Sequence, residues 1–315
     1  MKQFLSVNDA ADLHALVAEA DFYRKNPWAH RDLGDQKMLG LVFFNSSLRT
    51  RLSTQKAAIQ LGLSVMVMNV QQDGWQLEFE DGAVMNGGKA EHIREAAAVM
   101  GRYCDILGVR AFPGLQDRDA DYREEVIQGF VKFAGVPILS LESATRHPLQ
   151  SLADVLTIET NKTVARPKVV LTWAPHPRAL PQAVPNSFSE WVIRAGYEVV
   201  IAHPEGYDLA PEFTAGARIT HHQDEALQGA HFVYAKNWSS YTDYGKILSQ
   251  DPAWTLTPEK MALTAEGRFM HCLPVRRNVI VSDAVLDSPA SLVVEEAGNR
   301  TPAAQAVLAR MLKAL

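Results

Sequence analysis

Cysteine is scarce: the 315 residues contain two, Cys104 and Cys272. Two cannot build a disulfide framework, and neither stands at a metal-type spacing from other ligands, so no metal site is expected and a cytoplasmic, reducing setting fits. No stretch approaches the ~20 consecutive apolar residues that cross a membrane. The opening MKQFLSVNDAADLH has no apolar core behind its charge, so no signal peptide is expected. The net charge of −5 gives no general field for a nucleic-acid partner, and basic clusters must be judged as local sites. No short-period repeat or low-complexity tract is present. No G-x-G-x-x-G follows the first strand of either half of the chain. That absence disfavours a dinucleotide cofactor, and with it a nucleotide-dependent dehydrogenase. No other cofactor is implied.

What is present is an ordinary globular composition, 47% hydrophobic and 21% charged, on a chain long enough for two domains. An amphipathic helix is predicted over 7–24. A strand–helix alternation follows, with strands at 39–44, 65–69, 105–109 and 137–141 and helices near 48–61, 89–102 and 123–134. A helix at 148–160 and a polar link at 161–167 lead to a second alternation. Its strands fall at 168–173, 198–202, 217–220, 232–235 and 268–272, with helices near 187–195, 223–229 and 258–264. A last strand at 292–295 and a helix at 301–313 close the chain. This rhythm predicts an α/β protein of two doubly wound parallel-sheet domains with an active-site cleft between them. The expected boundaries are 1–148, with a C-terminal helix at 300–315 packing back on it, and 149–299. The segment 71–88 breaks the rhythm: it is long, carries four glycines and holds an unanchored Trp75. Loops of that kind are often functional.

The stretch LVFFNSSLRTRLSTQKAAIQLG, residues 41–62, reads as a strand, a turn and a helix stopped by Gly62. Ser47, Arg49, Thr50 and Arg51 crowd the helix start, where unpaired backbone N–H groups and guanidiniums favour an anion. A capped surface helix with solvated arginines is the plain alternative. Other predicted strand ends lead to Arg110, to Glu142 and His147, to His176, to Lys236, to His271-Cys272-Leu273-Pro274 with Arg276 and Arg277, and to Glu296–Arg300. Each has an ordinary structural reading: an ion pair for Arg110, a helix cap for His147, a small buried hydrophobe for Cys272. Together at one class of sheet edge they predict a cleft for a phosphate-bearing substrate.

S-L-R-T-R at 47–51, H-P-L-Q at 147–150 and H-C-L-P at 271–274 resemble the three signature motifs of the aspartate/ornithine transcarbamoylase family, in order and spacing along essentially the whole chain. The resemblance implies a carbamoyl-phosphate domain and an amino-acid domain in a homotrimer with shared active sites. No S-M-G triplet of the ornithine enzymes is found. The corresponding stretch is Tyr234-Ala235-Lys236-Asn237-Trp238, and a lysine there would repel a free α-ammonium. F-F-N-S-S-L-R-T-R, Trp75, W-A-P-H-P at 173–177 and Y-A-K-N-W resemble the N-acylornithine branch. The acetyl-specific relatives carry a glutamate at the position of Ala90, whereas succinyl-type enzymes have a small or apolar residue there, usually proline. Alanine departs from both, but its lack of charge spares a succinyl carboxylate from repulsion. Lys89 and nearby arginines are candidates to attract that carboxylate. The lysine found after R-R-N-V in acetyl-type enzymes is Ile280 here.

The expected activity is transfer of the carbamoyl group of carbamoyl phosphate to the δ-amine of N2-succinyl-L-ornithine, giving N2-succinyl-L-citrulline and phosphate in arginine biosynthesis. By resemblance Ser47, Leu48, Arg49 and Thr50 bind the phosphate, and Trp75 reaches in from the neighbouring subunit. Arg110, His147 and Thr50 act on the carbamoyl carbonyl oxygen. Gln150 and the Cys272 and Leu273 carbonyls hold the carbamoyl NH2, with Arg300 also in contact. Glu142, His176, Lys236 and Arg276 serve the acyl-ornithine, and Ala90 sets the acyl group. N-acetylornithine is the alternative acceptor, and a non-catalytic phosphometabolite-binding subunit is the remote one. Neither nucleic acid nor membrane is an expected partner.

Overall fold

The computed structural model describes residues 1–70 and 72–315 in full. It divides into two compact units: Met1–Gly114 with Asp119–Leu149 and Arg300–Leu315, and Leu115–Arg118 with Gln150–Asn299.

The first unit holds a five-stranded sheet. Its order is Gln3–Phe4, Ile138–Glu142, Ile106–Arg110, Met38–Phe43, Ser64–Asn69, and every pairing is parallel. The inner strands Ile106–Arg110 and Ile138–Glu142 are buried at every residue, as a sheet covered on both faces requires. The edge strand Ser64–Asn69 is not. One side of the core joins Val42, Val109, Ile93, Ile127 and Phe130 from strands and helices.

The helix after the second strand runs Arg49–Gln60, and Gly62 follows it in the left-handed conformation at φ 84°. A Cβ on Gly62 would stand 2.0 Å from the Arg31 carbonyl oxygen, so glycine is needed both for the turn and for the close approach.

Several predicted elements are corrected. The opening helix is two pieces, a 3-10 turn Val7–Ala10 and a helix Leu13–Lys25. Ser6 and Asp9 form a capping box on the first, and Asp12 caps the second with its carboxylate on the Ala15 N–H. The helix expected from 89 begins at Ile93, because Glu91–His92 is instead a short strand pairing in parallel with Leu77–Glu78. The long segment therefore carries structure of its own, including Val70–Asp73 as a helical turn. A short helix Arg118–Tyr122 was not foreseen.

The second unit repeats the plan. Its five parallel strands are ordered Arg218–Thr220, Glu198–Ala202, Lys168–Trp173, Phe232–Lys236, Arg268–Met270. Large aromatics fill it: Trp173, Trp191, Trp238 and Tyr207 are fully buried, and Phe188 stacks on Tyr234 with centroids 4.0 Å apart.

The strand expected at 292–295 does not exist. Those residues open a 20-residue helix, Val293–Leu312, that continues through Pro302. The valine pair and the proline read as a strand followed by a helix start. The helix survives because the carbonyl that Pro302 leaves without its N–H belongs to Gly298, which is exposed to water. The fold is thus two parallel-sheet α/β units, as the alternation predicts.

Candidate active site

In the first unit the sheet order places Met38–Phe43, Ile106–Arg110 and Ile138–Glu142 side by side, so their C-terminal ends meet. Phe43 is in register with Arg110, and a register shift after Val109 sets Arg110 opposite Glu142. The residues just beyond these strand ends gather there. Ser47 Oγ accepts the Thr50 N–H at 3.2 Å, tightening the start of the helix Arg49–Gln60. Thr50 is buried, and its hydroxyl is a meeting point: Arg300 Nη2 donates to Oγ1 at 2.6 Å and Arg110 Nη1 at 3.3 Å. Arg110 also pairs with Glu142 Oε2 at 2.5 Å and lies over the Phe112 ring at 4.5 Å. Its buried Nε has no hydrogen-bond partner among the described residues.

His147 completes this cluster. Its Nε2 lies 3.4 Å from Arg300 Nη2 and 3.5 Å from Glu142 Oε2. Burial, then the positive charges of Arg300, Arg110 and Arg49, holds its pKa well below the usual histidine value. The ring is therefore neutral at pH 7. A guanidinium can only donate, so Nε2 accepts and the proton resides on Nδ1, which is buried with no protein acceptor among the described residues. Two guanidiniums thus meet at one hydroxyl, with His147 beside Arg300 and the Glu142 carboxylate paired to Arg110.

Glu142, expected to serve the acyl-ornithine, stands in this cluster, bonded to Arg110. Trp75 is exposed and donates its Nε1–H to Glu91 Oε2 at 2.8 Å. Lys89 pairs with Glu78 at 2.8 Å, and that hydrogen bond, with backbone N–H donors, pulls the Glu78 carboxyl down to about 2. The Lys89 charge is thus already matched. Ala90 between them is exposed, with its N–H on the Gln76 carbonyl at 3.1 Å.

The second unit gathers its own set by the same logic, since Lys168–Trp173, Phe232–Lys236 and Arg268–Met270 are neighbours. Arg276 Nε donates to His176 Nε2 at 2.9 Å, and His176 Nδ1 lies 2.9 Å from the Arg178 carbonyl oxygen and 3.1 Å from the Arg178 backbone nitrogen. Burial and the charges of Lys236, Arg276 and Arg178 lower the His176 pKa, against that backbone hydrogen bond. Lys236 is buried and donates to the Asn237 carbonyl at 3.1 Å. Cys272 is a buried thiol pushed up to about 11 by burial, and so is no nucleophile. Leu273 adopts φ 55°. Ile280 packs in the interior.

Two carboxylates to which the sequence assigns no role, Asp154 and Glu296, stand beside Gln150. Gln150 Nε2 donates to Asp154 Oδ1 at 2.8 Å and to Glu296 Oε1 at 3.2 Å, and Glu296 Oε2 accepts the His271 N–H at 2.9 Å. Asp154 was findable, because it lies four residues from Gln150 on one helix face. Glu296 was placed on a strand end and so had no face to share. Among the described residues no group of three or more His, Cys, Asp or Glu could hold a metal ion, and no helix is long and apolar enough to cross a membrane.

Parallel α/β units whose strand ends collect guanidiniums around a hydroxyl and an open helix start define an enzyme for an anionic substrate. The description "Aspartate/ornithine carbamoyltransferase, carbamoyl-P binding domain" matches residues 2–160, and "Aspartate/ornithine carbamoyltransferase, Asp/Orn binding domain" matches 181–311. The chain belongs to the aspartate/ornithine carbamoyltransferase family. It is 54% identical to an N-succinylornithine carbamoyltransferase of Bacteroides thetaiotaomicron, covering 100% of both chains. It is 38% identical to an N-acetylornithine carbamoyltransferase of Xanthomonas campestris pv. campestris, over 99% of this chain and 98% of that one. A crystal structure of an N-acetyl-L-ornithine transcarbamylase with a glutamate-to-alanine mutation, complexed with carbamyl phosphate and N-succinyl-L-norvaline, matches with a TM-score of 0.92. That structure is 37% identical, over 99% of this chain and 100% of that one.

Proposed function

We propose that this protein transfers the carbamoyl group of carbamoyl phosphate to the δ-amine of N2-succinyl-L-ornithine, yielding N2-succinyl-L-citrulline and phosphate for arginine biosynthesis. The observation that carries the site assignment is the convergence of Arg110 and Arg300 on Thr50, with His147 against the same Arg300 nitrogen. The succinyl acceptor is supported by the 54% identity over full length to a named succinylornithine enzyme.

The phosphate is taken by Ser47, Leu48, Arg49 and Thr50 at the start of the helix and by the Arg49 side chain, with Trp75 from a neighbouring subunit. The carbamoyl oxygen faces Thr50, Arg110 and the His147 Nδ1–H. As the amine attacks, negative charge grows on that oxygen, so these fixed donors act more strongly in the transition state than in the ground state. Arg300 holds Thr50 and His147 in place and contacts the same ligand. Gln150 and the carbonyls of Cys272 and Leu273 accept from the carbamoyl NH2. Neutral His147, its Nε2 occupied by Arg300, is no base, so the departing phosphate takes the proton of the amine.

On the acceptor side, Lys236 and Arg276 suit carboxylate and acyl oxygens, His176 orients Arg276, and Glu142 favours the approach of a cationic δ-ammonium before it loses its proton. A carboxylate at the position of Ala90 would repel a succinyl group. The relative that holds N-succinyl-L-norvaline likewise has alanine in place of a glutamate. A homotrimer is supported by the edge strand Ser64–Asn69 and by exposed Leu48, Leu52, Ile59 and Met66 on the same unit. Two free cysteines suit the cytoplasm.

The test is an assay of phosphate and ureido product from carbamoyl phosphate with N-succinyl- or N-acetyl-L-ornithine. Stoichiometric formation of both products with the succinyl substrate supports the reading, and no product with either acceptor contradicts it.

A further inference from the structure

Gln150 presents a question that its own side chain cannot answer. An amide has a donor end and an acceptor end, nearly equal in shape, and only the surroundings decide which faces a ligand. Holding the carbamoyl NH2, which only donates, needs the oxygen end. Both hydrogen bonds of the Gln150 side chain leave from Nε2, to Asp154 Oδ1 at 2.8 Å and to Glu296 Oε1 at 3.2 Å. Gln150, Asp154 and Glu296 are all buried. A carboxylate is an acceptor, so turning the amide over would set its oxygen against two carboxylates, a cost that burial raises.

Glu296 does more. Its second oxygen accepts the His271 backbone N–H at 2.9 Å, and the His271 ring accepts the Leu273 N–H on Nδ1 at 2.8 Å. One carboxylate therefore ties the Gln150 amide to the turn whose carbonyls are those of Cys272 and Leu273. We propose that Glu296 and Asp154 are positioning residues that hold Gln150 with its oxygen free to accept, and that Glu296 sets all three acceptors of the substrate NH2 in one register. This rests on the carbamoyl-transfer reading above.

The two carboxylates differ in a testable way. Glu296 uses both oxygens as acceptors, Oε1 toward Gln150 and Oε2 toward the His271 N–H. A glutamine there has one acceptor oxygen and must turn its own NH2 toward one of them. Asparagine at 154 keeps an acceptor for Gln150.

The experiment is a double-mutant cycle on kcat/KM for carbamoyl phosphate. Glu296→Gln is expected to lower it tenfold or more in the otherwise unmodified enzyme and threefold or less in a Gln150→Ala background, with KM for the acyl-ornithine unchanged. Asp154→Asn is expected to cost about threefold in the first background and nothing in the second. Equal losses in both backgrounds, or a wild-type kcat/KM in Glu296→Gln, overturn the proposal. Should Glu296→Gln fail to fold, the Asp154→Asn cycle decides by the same criterion. Lack of carbamoyl transfer by the unmodified enzyme would instead sink the functional reading, and is seen before any variant is made.

Discussion

Arg300 meets His147 from 153 residues along the chain: its Nη2 lies 3.4 Å from the His147 Nε2 and donates to Thr50 Oγ1 at 2.6 Å. A single guanidinium nitrogen thus fixes the ring tautomer and the hydroxyl together. Lysine keeps the charge but not the planar fork. Arg300→Lys is expected to lower kcat/KM for carbamoyl phosphate by roughly a hundredfold, the scale of one lost transition-state donor. Steady-state kinetics on the folded variant check this, and a loss under threefold would contradict the shared role.

The environment of His147 also sets a pH dependence of stability. Its pKa in the folded state lies well below 6.5, while in the unfolded chain it is ordinary. Below about pH 6.5 the unfolded state takes up a proton that the folded state resists, so stability falls as pH falls. Above that pH the contribution is fully present. The steepest this loss can be is the one-proton linkage slope of ~1.4 kcal/mol per pH unit. Denaturant titrations should show the stability of His147→Asn falling less between pH 7 and 5.5, and identical pH dependence would contradict a neutral buried ring.

Arg110 and Glu142 form a pair at 2.5 Å with side chains 8% and 9% exposed. Removing one partner leaves the other charge buried. Glu142→Leu is expected to destabilise the fold by about 3–5 kcal/mol, read from the shift in denaturation midpoint. A change below 1 kcal/mol would mean that water reaches Arg110 freely.

Trp75 is 59% exposed, with only its indole N–H held, by Glu91. If it is lent to a neighbouring subunit, Trp75→Ala should raise KM for carbamoyl phosphate about tenfold, the scale of an aromatic contact, while leaving monomer thermal stability unchanged. Unchanged affinity would remove the argument for a shared site.

Much of this was legible in the sequence because strand and helix periodicities are local. Lys168–Trp173 and Glu198–Ala202 lie where the apolar runs put them. Gly62 stopped its helix for a reason visible in one letter. Of the helix Val293–Leu312 the part from 301 was legible but its first turns were not, since Val293 and Val294 favour a strand and Pro302 reads as a helix start. The motif residues were found from their positions at strand ends. The roles of Asp154 and Glu296 were not legible, because a carboxylate shows its purpose only when its partners from elsewhere in the chain are in place. Lys89, a candidate for the succinyl carboxylate, is paired with Glu78, an interaction eleven residues apart that no spacing rule predicts.

The most direct measurement is kcat/KM for N-succinyl-L-ornithine against N-acetyl-L-ornithine, in the unmodified protein and in Ala90→Glu. The unmodified protein is expected to favour the succinyl substrate by at least tenfold, about 1.4 kcal/mol, and Ala90→Glu to lose that preference through repulsion of the succinyl carboxylate. A higher kcat/KM for the acetyl substrate in the unmodified protein would contradict the proposed acceptor. An undiminished succinyl preference in Ala90→Glu would contradict the role of Ala90.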